Sequence, residues 1–230
     1  MTGRGDCWTV TDQHREGVPM RHHLFVSWMP KLLAVFAVTA IAAPASAMTV
    51  LQVDLKALVT TSDAVLYGQV AATRVLDRRK EGRGVWTEIS LDVREVWKGD
   101  AKLAGKRFSW LHVGGTTPDG MTVAVPGMPG FAAGEETVVV LEKNTESYVV
   151  SGGPQGKFSV KVNTSGQKTV TREMSDVYFV RKDPQSGDMQ RAPKQVSVVR
   201  TINEFRAEVL GYVAEALKAA KPGKNSPAGK

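Results

Sequence analysis

PGMPGFAAGEETVVVL, residues Pro126 to Leu141, is the stretch that decides the fold. Its three glycines and two prolines demand an irregular crossing, because glycine opens positive φ while proline fixes φ and removes a donor. Phe131 offers that crossing an apolar anchor. The unbroken run Val138 to Leu141 then has the pattern of a strand buried on both faces. Such a strand needs pairing on either side and cover above and below.

Upstream, Arg107 to Val113 alternates, with Phe108, Trp110 and His112 on one face and Leu111 and Val113 on the other, until Gly114-Gly115 stops it. A loop through Pro118-Asp119-Gly120 and a short strand, Met121 to Val125, join it to the central stretch. Earlier still, Ile89, Leu91 and Val93 point inward between outward Glu88, Ser90, Asp92 and Arg94. Val96 breaks this phase, which predicts a bulge at Arg94-Glu95 and a strand that coils. Ala64 to Val75, with Leu66, Gly68, Val70 and Ala72 on one face, forms the first arm of a long hairpin closed by the charged connection Asp77 to Gly84. Ahead of it Asp54 caps a short helix carrying Leu55, Leu58 and Val59 on one face.

Downstream, Tyr148 to Ser151, Lys157 to Lys161, Lys168 to Arg172 and Val177 to Arg181 are short strands between Gly-rich turns. Their regular spacing favours a barrel or sandwich over a parallel sheet. Residues 183–200 read as a polar linker and return segment. Thr201 and Glu204 then form a capping box for a helix over 201–220, whose apolar stripe is Ile202, Phe205, Val209, Leu210, Val213 and Leu217. The Lys-, Gly- and Pro-rich residues 221–230 read as a disordered basic tail.

The N-terminal part follows another logic. Arg21, His22, His23 and Lys31 precede an apolar run, Leu32 to Ala43, that ends in Pro44-Ala45-Ser46-Ala47, which predicts a signal peptide cleaved after Ala47. The alternative, a retained anchor, has only the 16 residues Leu32 to Ala47 where spanning takes about 20. Met1 to Pro19 suits neither a signal nor a core and reads as an over-extended start, so the Arg4-Gly5-Asp6 tripeptide carries no weight. Cleavage removes Cys7, the sole cysteine, and leaves no disulfide, no thiolate and no lipobox. The exported product is then periplasmic or secreted, with residues 48–182 as its β domain. Its modest basic excess sits largely in the C-terminal lysines.

Ser62-Asp63 with Ala64 to Val70, Thr87 to Gly99 with its Trp97-Lys98-Gly99, Gly114-Gly115, Pro126 to Leu141 and Gly156-Lys157-Phe158 together resemble a group of uncharacterised exported bacterial proteins over Ser62 to Val160. More distantly, their arrangement is similar to netrin-type modules and the tissue inhibitors of metalloproteinases. That resemblance implies a mainly β fold, an OB-like closed or partly open β-barrel with a short N-terminal helix and a C-terminal amphipathic helix. The inhibitors chelate a protease zinc through an N-terminal cysteine; this chain has none after Ala47.

Catalytic motifs are sparse. His112, the one histidine beyond Ala47, excludes a poly-histidine zinc site, and no Gly-x-Ser-x-Gly elbow supplies a nucleophile. Gly152 to Lys157 imitates a phosphate loop, but Ser151 and Phe158 occupy the positions of the first glycine and the magnesium-binding hydroxyl. Glu135 and Glu136 are adjacent at the head of a strand, so they point to opposite faces; Glu135 suits backbone N–H groups of the preceding loop. Met121 and Met128 lack the supporting ligands of a copper site, and Asn163-Thr164-Ser165 is a sequon relevant only to eukaryotic secretion. Trp86, Trp97 and Trp110 on an OB-like barrel would suit nucleic acid, but export argues against that partner. The expectation is therefore an exported non-enzymatic module with no cofactor, no metal and no transmembrane segment after cleavage. It would bind an unknown protein or envelope polymer through its loops, with Met128 and Phe131 as the candidate surface. The second reading is a hydrolase or protease-inhibitor activity built on the Gly114 to Gly134 loops.

Overall fold

A computed structural model describes residues 48–174, 177–193 and 199–220, all within the second of two units, residues 1–45 and 46–230. The signal over 1–47, with Cys7, and the tail over 221–230 lie outside the described residues. In chain order the elements are β1 (Met48–Leu51), α1 (Leu55–Thr61), β2 (Ala64–Asp77), β3 (Val85–Lys98), β4 (Arg107–Val113), β5 (Gly115–Thr116) and β6 (Thr122–Val123). They continue with β7 (Glu136–Lys143), β8 (Tyr148–Val150), β9 (Lys157–Val162), β10 (Lys168–Thr171), β11 (Val177–Lys182), β12 (Met189–Arg191), β13 (Arg200–Thr201) and α2 (Ile202–Ala220). The protein is mainly β with a C-terminal helix.

β7 is fully enclosed, as its apolar run requires. One edge pairs with β2, while the other pairs first with β9, through Glu136 to Val139, and then with β8, through Leu141 to Lys143. The resulting sheet runs β13-β10-β9-β7-β2-β3-β4, with β8 beside β7. No described sheet closes on itself. β8 nevertheless lies against β4 without a ladder, and Phe108 and Tyr148 meet edge to face at 5.2 Å.

Alternation along β2 and β7 sends side chains into two cores. Val65, Tyr67, Val138 and Val140 face the first, which α1 and α2 cover with Leu58, Val59, Phe205 and Val209. Leu66, Val70, Val139 and Leu141 face the second, filled by Ile89, Leu91, Val93, Trp110 and Val150 where the sheet curls. Bulges produce this coiling. Tyr67 faces Glu95 and Gly68 faces Val93, which leaves Arg94 as the extra residue at the predicted bulge. A Cβ at Gly68 would lie 2.2 Å from the Asp92 carbonyl oxygen, so the close approach admits only glycine.

Both helix starts are as read. The Asp54 side chain accepts the Ala57 N–H at 2.6 Å. The Thr201 N–H donates to Glu204 Oε2 at 2.9 Å while the Glu204 N–H donates to Thr201 Oγ1 at 3.3 Å. The stripe of α2 differs at its far end: Leu217 is 62% exposed, and Tyr212 packs on the first core instead.

Residues 183–193 are not a linker. Asp183 to Asp188 form a turn, and β12 pairs with β11, which β1 joins in parallel to make a three-stranded sheet over Met174, Val177, Phe179 and Ala192. β12 is exposed throughout, so no apolar alternation marks it in the sequence. Of the expected strand Met121 to Val125 only β6 forms. No described helix is long and apolar enough to cross a membrane.

Candidate functional site

The loop ahead of β7 is held by Phe131. Its ring stands edge-on to Trp110 at 5.3 Å and to His112 at 5.4 Å, while Lys157 Nζ lies 4.7 Å from its centroid. Glu135 completes the attachment: it accepts the Ala132 N–H at 3.3 Å, the Ser159 hydroxyl at 2.9 Å and the Lys157 ammonium at 2.7 Å. The loop contact assigned to Glu135 is therefore present, and strand β9 supplies the stronger partners.

Between this loop, the outer face of β9 and the residues Glu173, Met174 and Val177 lies a cleft of about 650 Å³. Met128, Phe131, Met174 and Val177 form its apolar lining, with Glu135, Lys157, Lys161 and Glu173 as charged groups. Met128 and Phe131 are thus brought together, but with unequal roles. Phe131 is largely committed to Trp110 and His112, whereas half-buried Met128 belongs to no core cluster and lays its sulfur beside Gly153 of the turn that precedes β9.

Among the described residues His112 makes no hydrogen bond to a nucleophile, and its ring meets that of Phe131. Burial and then the Lys157 charge hold its pKa below the usual histidine value, so it is neutral at pH 7. The Ser159 hydroxyl donates directly to Glu135, which Lys157 already neutralises. These bonds clamp the loop onto β9.

Glu136 points to the opposite face, as alternation requires. It accepts from Tyr67 Oη at 2.9 Å and from Lys168 Nζ at 2.8 Å, and it pairs with Arg94. Gly152 to Lys157 is a 3-10 turn between β8 and β9, not a phosphate cradle. Its interior holds buried Gln155, whose Nε2 donates to the Leu51 carbonyl and whose Oε1 accepts the Val53 N–H, both at 2.9 Å.

Several of the residues that carried the resemblance hold the backbone in place. Lys98 Nζ donates to the carbonyls of Val59, Thr60 and Ser62, which closes the C-terminus of α1. The Asp63 carboxylate accepts the Lys143 N–H at 2.7 Å. A Cβ at Gly114 would sit 2.4 Å from the Val123 carbonyl oxygen, and one at Gly156 would sit 2.3 Å from that of Ser151.

A second cavity, of about 330 Å³, was not anticipated: the connections 78–86 and 144–146 converge over β4, and Arg78, Arg83, Trp86 and Asn144 line it. Its one sequence signal is Trp86 on the outward phase of β3. No group of three potential ligands among His, Cys, Asp and Glu gathers around a metal position among the described residues. Comparison of the chain with protein-family models, curated proteins and solved structures finds no match.

Proposed function

We propose that the protein is an exported, non-enzymatic binding module of OB-like architecture, and that it takes a segment of a protein partner in the cleft beside Met128. The observation that carries this reading is the cleft lining: two methionines and a phenylalanine with lysines and glutamates around them. Flexible thioethers adapt to an inserted side chain, while mixed charges fix its direction. The OB-like reading is supported by the succession β2-β3-β4, β8, β7 and back to β2 around the second core, in which only the β4 to β8 step lacks hydrogen bonds. Export is supported by the basic, apolar and small-residue pattern ending at Ala47.

The test uses Met128→Glu, because Phe131→Ala would release the loop itself. Envelope and secreted proteins are passed over the immobilised wild type and variant. A partner held by the wild type should be lost at least tenfold by the variant at unchanged thermal midpoint. Equal retention by both proteins would overturn the proposal.

A further inference from the structure

The cavity on the opposite face of the β3–β4 ladder from Phe131 has the makings of a ligand site independent of the Met128 cleft. Of the three tryptophans in the described residues, Trp97 and Trp110 belong to the two cores, while Trp86 belongs to neither. It lies half-buried on the outer face of the β3–β4 ladder, where Trp86 opposes Val113 and Glu88 opposes Leu111, so its indole and Leu111 share that face. Its Nε1 donates to the Arg83 carbonyl at 2.7 Å, which fixes the ring.

Polar groups with open donors surround this indole. The Arg78 side chain is 29% exposed and makes no hydrogen bond through its guanidinium among the described residues; its nearest carboxylate, Glu146 Oε2, is 3.9 Å away. Arg83 engages Glu146 through Nη2 alone. Asn144 Oδ1 accepts the N–H groups of Glu146 and Ser147 at 3.0 and 2.7 Å, which sets the amide and leaves its Nδ2 without an acceptor among the described residues.

Both connections are ordered before any ligand arrives. The Arg78 N–H donates to the Gly84 carbonyl, the Arg83 N–H to that of Arg78, and the Asn144 N–H to that of Ser147. Arg79 ties the first connection to Asp77 and, at 2.9 Å, to Asp119. Such pre-organisation lowers the cost of binding.

We infer that this cavity binds an acidic oligosaccharide. An indole beside polar donors matches the mixed surface of a pyranose, whose C–H face is apolar and whose rim carries hydroxyls. Two guanidiniums against one carboxylate select a sugar bearing its own carboxylate, which the planar fork can take bidentately. A volume of about 330 Å³ holds one or two sugar units, with the remainder of a chain running over the open outer face.

Isothermal titration of the purified protein with hexamers of galacturonate, mannuronate and glucuronate, and with neutral maltohexaose, tests this assignment. At least one uronate oligomer should bind and quench tryptophan fluorescence, while maltohexaose should bind at least tenfold more weakly. Trp86→Ala and, separately, the exposed substitution Arg83→Gln should each reduce uronate affinity at least tenfold, with Met128→Glu leaving it unchanged. Absence of binding across the uronates, equal binding of the neutral hexamer, equal binding of a single-stranded oligodeoxynucleotide of matched charge, or full affinity in Arg83→Gln would overturn it.

Discussion

Lys98 and Glu136 show how single charged residues hold this fold from opposite sides of the first core. The Lys98 ammonium has three donors, and three carbonyls at the end of α1 take them; burial lowers its pKa, with Asp63 opposing that shift. For Glu136, burial by itself raises the pKa, and the hydrogen bonds from Lys168, Arg94 and Tyr67 outweigh it, holding the carboxyl at about 2. A carboxylate depressed below its unfolded value stabilises the protein above the unfolded pKa and loses that contribution as pH falls through the folded one. The window here lies between roughly pH 4.5 and 2, and the contribution is about 1–2 kcal/mol once solvent screening is allowed for. Glu136→Gln should therefore be less stable than the wild type by about that amount at pH 6, with the two urea midpoints converging toward pH 2.5. A gap that stays constant over this range would contradict the assignment.

Elements differ in how plainly the chain announces them. β7, the bulged β3 and both helix caps are legible because each rests on local chemistry: an apolar run, a break in alternation, a carboxylate three residues from an N–H. β12 is not, since a three-residue strand of exposed side chains is defined by its partner alone. The candidate site divides in the same way. Met128 and Phe131 stand out among glycines and prolines, yet the wall of the cleft at Met174 and Val177 comes from more than forty positions further along the chain, and only folding places it there. The cavity at Trp86 joins residues about sixty apart for the same reason. Helix α2 tests the reading of an element directly. Phe205 is buried against Trp97 and Phe158, whereas Leu217 is mostly exposed despite its place in the apolar stripe. Phe205→Ala should cost about 3–5 kcal/mol in denaturant unfolding, and Leu217→Ala should stay within about 0.5 kcal/mol. Comparable losses at both positions would mean that the helix docks along its full length.

At the scale of the molecule, the decisive fact is that two cores share the same strands. Val138 and Val140 belong to one core and Val139 and Leu141 to the other, and β2 divides its side chains likewise through Val65 and Leu66. Neither core can open while β2 and β7 keep their ladders, because each strand exposes a full apolar face when one side is lost. The three-stranded sheet stands apart from this coupling: its own cluster holds only Met174, Val177, Phe179 and Ala192, with Val50 packed against it. Native-state hydrogen exchange should therefore give the most protected amides of β3 and β9, on opposite flanks of the shared pair, one common opening free energy that falls steeply with urea. The amides of β11 and β12 should exchange through a smaller opening of lower free energy and weaker urea dependence. Separate opening free energies for β3 and β9 would show that the shared strands do not bind the two cores into one cooperative unit. In that case the Met128 cleft, whose floor is β9, and the Trp86 cavity, whose floor is β3 and β4, would respond independently to destabilisation as well as to ligand.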